Sequence, residues 1–350
     1  MRSSIPNLLT LRGRGGSRAS RGRGRAHPEA HDTTIQGTDT DAAVSRLSAV
    51  HCGYLTDPYA QFFVSAGGGP PTRRLPIINR GTYTRTTALD RLVDAFLDGG
   101  GQRQIVSLGA GTDTRVFKRF ARGETEGLVY HELDFEIISQ KKLRIVRGNP
   151  MLSRIMGEIT VSEDATCWSS ELGARGEYHC HGLDLRKLVD ADESQVLIPG
   201  LRTDMPTLVV SECCLCYLAT EQAAAVLAYF HKRIPSLGTV IYEPVLPHDA
   251  FGKVMTANLA ARGISMPTLD SYPTPADQEK RLSEAGFVGA VKAMTVEEIW
   301  RKWVTDDEKA RLDSLEGLDE VEEWELLAGH YVVAWGSKGL DVKAWNELLT

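Results

Sequence analysis

Val106-Ser107-Leu108-Gly109-Ala110-Gly111-Thr112-Asp113 sets two glycines between an apolar run and a helix-like segment. Side chains there would hold a ligand off the backbone, so Gly109 and Gly111 read as a turn built for close approach. The Gly-x-Gly-x-x-Gly fingerprint of dinucleotide sites is incomplete, because Thr114 and Arg115 stand where its third glycine would fall. Asp113 behind the turn disfavours a pyrophosphate and tolerates a ligand carrying an ammonium and a sulfonium. These features favour S-adenosylmethionine over NAD, with a plain tight turn as the bland alternative.

Acidic residues recur where strands should end. Asp134 closes an apolar run 25 residues after Gly109 and can accept both hydroxyls of a ribose. Its alternative is to cap a helix starting near Phe135. Asp184 and Leu185 follow the next run: the carboxylate suits an adenine amino group and the Leu185 N–H a ring nitrogen, with a helix cap equally open. Glu212 ends Leu208–Glu212, and ligands of open parallel sheets gather outside such ends. In Asn79–Thr86, Arg85 has the fork that binds a carboxylate, against the alternative of a solvated arginine at a helix start. Cys213-Cys214-x-Cys216 has no second Cys/His pair at workable spacing, so small core thiols and no metal are expected.

The elements that must hold these residues alternate. Strands are expected at 104–108, 128–133, 178–183, 206–211 and 238–242, and helices at 84–97, 112–121, from near 135 to 147, and 220–234. That alternation predicts an α/β fold with a mostly parallel open sheet. Strand-like segments 286–294 and 330–335 flank acidic helices and predict an antiparallel edge pair. Residues 39–64 read as an N-terminal helix followed by a turn, and Gly67–Pro71 as a loop. Residues 247–275 hold a helix candidate at Phe251–Leu259 and suit a lid inserted after the fifth strand. One domain is expected over residues 36–350.

Residues 1–35 carry seven arginines, alternating with glycine over Arg12–Arg25, against Glu29 and Asp32. Such a segment buries too little to fold and is expected to be a disordered arm. The whole chain is −6, so the body beyond the arm is strongly acidic, which argues against nucleic acid as its partner. No apolar run is long enough for a membrane span, and six cysteines without a paired framework suit a reducing, cytoplasmic setting.

Four segments carry a resemblance: Ser45–Tyr54, Asn79–Arg85, Leu108–Gly111 and, most diagnostic, Ser211-Glu212-Cys213-Cys214-Leu215-Cys216-Tyr217. They are similar to the leucine carboxyl methyltransferases, which act on the catalytic subunit of protein phosphatase 2A, and the likeness runs from about Thr38 to Trp335. The resemblance implies a class I methyltransferase with a Rossmann-like sheet, here taken as a monomer. It implies that Arg46 and Arg85 hold the methionine part of S-adenosylmethionine and that Gly109 meets it through the backbone. Asp134 would take the ribose, Asp184 and Leu185 the adenine, and Glu212 would lie near the amino group. Arg85 and Tyr217 become the candidate catalytic residues. Arg46 stands where relatives carry lysine, which keeps the charge and changes its geometry. A larger branch of the family modifies a tRNA base and carries a β-propeller, for which this chain has neither length nor repeats.

The implied reaction is methyl esterification of a C-terminal leucine α-carboxylate. A carboxylate is ionised near neutral pH and needs no general base, so the protein's work is alignment and exclusion of water. The competing readings are a small-molecule carboxyl O-methyltransferase, an NAD-dependent dehydrogenase and a non-catalytic phosphatase-binding regulator.

Overall fold

Aliphatic and β-branched runs form the strands of one nine-stranded sheet, in the order β3-β4-β5-β2-β1-β6-β7-β9-β8. They are β1 (Arg103–Leu108), β2 (Leu128–Asp134), β3 (Thr160–Val161), β4 (Cys167–Glu171), β5 (Glu177–Gly182), β6 (Thr207–Glu212), β7 (Leu237–Pro244), β8 (Gly289–Thr295) and β9 (Tyr331–Lys338). The computed structural model describes residues 28–64, 72–123, 125–192, 196–340 and 342–348. β5, β2, β1, β6 and β7 run parallel, as the helix–strand alternation requires. β9 lies antiparallel between β7 and β8, so the expected edge pair is present.

The sheet is buried on both faces. Ile105, Leu208 and Val210 face a layer that includes Leu89, Leu92 and Phe96, whereas Val106, Leu108 and Val209 face Val226, Leu227 and Phe230. Alternate residues of a strand point to opposite faces, so each run supplies two cores. At the far edge the β3–β4 hairpin pairs antiparallel with β5 and falls outside the sequence expectation. In Cys167–Glu171 only Trp168 and Ser170 turn inward, an alternation too polar to read as a strand.

Four helices position the site: α1 (Pro28–His51), α2 (Pro76–Leu97), α3 (Arg115–Arg122) and α4 (Glu136–Gly148). α2 starts eight residues before its expected start at Thr84, with proline in its first turn, where the missing N–H costs nothing. Its polar opening is held by tertiary contacts, among them Arg80 over the Trp300 ring at 4.7 Å. The expectation of an arm through residue 35 is corrected, since α1 already begins at Pro28. Within this stretch Asp32 pairs with Arg186 and Ile35 packs against the main core. Residues 1–27 and the loop expected at Gly67–Pro71 lie outside the described residues.

Residues 247–275 form helices Ala250–Ala260 and Pro267–Ser271, which put Phe251, Met255, Leu259 and Leu269 into the main core. This insert is a packed part of the body, not a detached flap. Among the described residues no helix is long and apolar enough to cross a membrane.

Candidate active site

β1 has β2 on one side and β6 on the other, so the chain reverses its winding direction there and a crevice opens at the strands' carboxyl ends. A cavity of about 380 Å³ occupies that crevice, roofed by α1. Arg46, Arg85, Gly109, Asp134, Asp184, Leu185, Glu212 and Tyr217 all line it.

The glycine turn is tight for two reasons. Gly109 and Gly111 have φ of +60° and +51°, which side chains disfavour. A Cβ on Gly109 would also lie 2.6 Å from Cys214 Sγ, and one on Gly111 2.6 Å from Asp39 Oδ1. The turn then organises its neighbours. Gly111 N donates to Asp134 Oδ2 and Phe135 N to Asp134 Oδ1, each at 2.7 Å. Asp134 therefore ties the glycine turn to the start of α4 instead of capping that helix. Burial, the largest influence, raises its pKa to about 6.

Asp113 is spoken for. Arg115 Nη1 lies 2.5 Å and Arg46 Nη1 3.1 Å from its carboxylate. Burial alone would raise its pKa, but Arg115 and then Arg46 hold it well below the usual carboxylate range. Asp113 lines the cavity, but its carboxylate is already paired with Arg115 and Arg46 and is no free anion for a ligand. The same pairing places Arg46 at the cavity wall with Nη1 engaged and Nε buried without a partner.

Arg85 is buried, at 6% exposure, so it is no solvated arginine. Its Nε lies 2.8 Å from Glu212 Oε1 and its guanidinium 5.4 Å from the centre of the Tyr242 ring. Arg115 Nη2 reaches the other Glu212 oxygen at 3.7 Å. Tyr217, in the short turn Leu215–Tyr217 after β6, is buried and lines the cavity near Thr38 of the roof. Cys213 takes a positive φ of +50° at the same turn. At the opposite end Asp184 accepts from Arg186 N at 2.9 Å, so the cap reading holds for that turn. Burial acts to raise the Asp184 pKa, but Arg186 holds it low.

Sequence reasoning missed the α1 roof. His31, Asp32, Ile35, Gln36, Thr38 and Asp39 line the cavity. Asp39 Oδ1 accepts from Thr112 N at 2.7 Å and from Thr112 Oγ1 at 2.6 Å, and its other oxygen takes Lys141 Nζ at 2.8 Å. Phe135 and Arg186 were also passed over. Arg186 has one partner, Asp184, two residues away, but its other partner, Asp32, lies 154 residues away, and no local pattern marks that pairing.

The family description "Leucine carboxyl methyltransferase" matches residues 34–231. Leucine carboxyl methyltransferase 1 of Emericella nidulans is 46% identical, covering 98% of this chain and 97% of the relative. Leucine carboxyl methyltransferase 1 of Aspergillus fumigatus is 44% identical, covering 95% and 93%. The tRNA wybutosine-synthesizing protein 4 of Rattus norvegicus is 32% identical over 87% of this chain but only 44% of its own length. Among solved structures, a DUF574 family protein from Streptomyces avermitilis shares the fold, with a TM-score of 0.51 at 16% identity over 86% of this chain and 99% of that one. Likeness along nearly the full length of both chains carries more than fold, and this chain belongs to the leucine carboxyl methyltransferase family and is a carboxyl methyltransferase.

Proposed function

We propose that the protein transfers the methyl group of S-adenosylmethionine to the α-carboxylate of the C-terminal leucine of the protein phosphatase 2A catalytic subunit, in the cytoplasm. The observation that carries this reading is the convergence of Arg85, Gly109, Asp134, Asp184, Glu212 and Tyr217 on one cavity of about 380 Å³. That volume suits a small-molecule site.

The cavity fits the cofactor by its own chemistry. Gly109, Ala110 and Gly111 line the cavity with backbone that carries almost no side chain, so a ligand can approach the main chain there. Asp134 keeps acceptor capacity beyond its two backbone bonds, as two ribose hydroxyls require. Asp184 and Leu185 offer an acceptor and a backbone N–H for adenine, and Glu212 an anion for the amino group. Arg85 and Arg46 supply cations for the carboxylate. When bound, S-adenosylmethionine supplies an electrophilic methyl group on a sulfonium.

The protein's residues then align and dry the reacting groups. Arg85, ion-paired with Glu212, stands beside the incoming carboxylate, and Tyr217 forms the wall against which it rests. No proton needs to be removed, because a leucine carboxylate is already ionised. The α1 roof and the packed insert exclude water, which favours a reaction in which a cation and an anion neutralise each other. Six free thiols are consistent with a reducing compartment.

The test is incubation with methyl-labelled cofactor and phosphatase catalytic subunit, intact or lacking its terminal leucine. Label on the intact form only is expected. Label on both forms, or on a free small-molecule acid in preference to the phosphatase, overturns the proposal.

A further inference from the structure

Arg186 holds two carboxylates from distant parts of the chain. Its Nη2 lies 2.6 Å from both Asp32 Oδ2 and Asp184 Oδ2, its Nη1 3.2 Å from Asp32 Oδ1, and its Nε 2.9 Å from each Asp184 oxygen. Each carboxylate is therefore met by two nitrogens of one planar fork, the geometry that most strictly fixes orientation. The guanidinium carbon also lies 5.8 Å from the centre of the Phe135 ring. Asp32, Phe135, Asp184 and Arg186 all line the cavity, so the cluster forms part of its wall.

Asp32 sits near the start of α1, in a stretch where Thr33, Thr34, Gly37, Thr38 and Thr40 are poor helix formers. Such a helix end depends on tertiary anchors. Asp39, one such anchor, lies two turns on, and Asp32 holds the turns before it. The exposure of the cluster also matters. Side chains of Arg186, Asp32 and Asp184 are 34%, 21% and 26% exposed, whereas Arg115 and Asp113 are 4% and 10%. A half-exposed pair can open and is screened by salt, while a buried one resists both.

We infer that the Asp32–Arg186–Asp184 clasp is the latch of this cavity: Arg186 positions the Asp184 carboxylate and closes the first turns of α1 over the bound nucleoside, so that its opening sets the rate at which S-adenosylhomocysteine leaves. This rests on the proposed cofactor reading. Arg186 and Asp32 are positioning residues, since they act through Asp184 and through α1.

The test uses the full chain, with calorimetry for S-adenosylmethionine affinity and stopped-flow release of S-adenosylhomocysteine at low and high salt. Asp32→Asn should release the product about threefold to fivefold faster, the weight of a part-exposed ion pair. Release from the unsubstituted protein should quicken with salt, release from Asp32→Asn should not, and Asp32→Glu should restore the original rate. Arg186→Gln should also raise the cofactor Kd. Release from Asp32→Asn within twofold of the unsubstituted rate, or a lowered Tm with unchanged release, overturns the latch. If the unsubstituted protein fails to bind S-adenosylmethionine, the cofactor reading falls instead.

Discussion

Cys214 Sγ stands 2.6 Å from where a Cβ on Gly109 would lie, so the turn after β1 and the turn after β6 interlock at the floor of the cavity. Each turn needs the other to be small. That contact couples the two most informative sequence segments and gives the first prediction.

Gly109→Ala meets a strained φ of +60° as well as the Cys214 side chain, whose Cβ is also only 2.8 Å away. We expect a folded protein with cofactor affinity reduced by at least about tenfold, from roughly 1–2 kcal/mol of backbone strain plus displaced contacts. Calorimetry with S-adenosylmethionine checks this. Adding Cys214→Gly should recover part of the loss, and no recovery would show that φ alone is responsible.

Arg85→Ala removes the cation that Glu212 faces at 2.8 Å. Breaking this buried ion pair leaves Glu212 with Arg115 alone, 3.7 Å away, so kcat/KM on the phosphatase should fall on the order of a hundredfold, and Tm with it. Arg85→Lys keeps the charge without the fork and should recover Tm more than turnover. Equal recovery of both would contradict a role in orienting the carboxylate.

Asp134 has its pKa raised to about 6 by burial, against roughly 3.9 in an unfolded chain. Its protonated form therefore stabilises the fold fully below the unfolded value, and that contribution is lost as pH rises through 6. Asp134→Asn removes this pH dependence but can accept from only one of Gly111 N and Phe135 N, so its Tm should be lower and flat across pH 6. Cofactor binding should respond in the opposite sense, strengthening as pH rises through 6 and the carboxylate forms. Calorimetric titrations across that range should show the inflection in the natural chain and none in Asp134→Asn.

His131 and His181 are buried, with His131 Nδ1 3.1 Å from His181 Nε2 and His131 Nε2 3.2 Å from Gln104 Oε1. Burial pushes His181 down to about 3 and His131 well below its ordinary value. Both are neutral in the fold, while unfolded imidazoles take up protons near pH 6.5. Their stabilisation is thus present above that pH and lost as pH falls toward 3. Urea midpoints should decline over this window, and His181→Gln should flatten the decline. An unchanged slope would assign acid unfolding to other groups.

The sequence by itself determined what local pattern can encode. Apolar runs at Ile105–Leu108, Leu128–Leu133 and Leu208–Val210 had to be central strands, because alternate residues on both faces could only be satisfied in a covered parallel sheet. The positive φ required at Gly109 and Gly111 was likewise legible, since few residues but glycine adopt it. Only the tertiary structure decided which charges meet. Asp113 could not be seen to belong to Arg46, 67 residues away, nor Asp32 to Arg186 across 154. It also decided that α1 starts at Pro28 and roofs the cavity, and that Trp168 and Ser170 mark an edge strand. Pairings of this kind depend on which surfaces the sheet brings together, and spacing along the chain carries no trace of them.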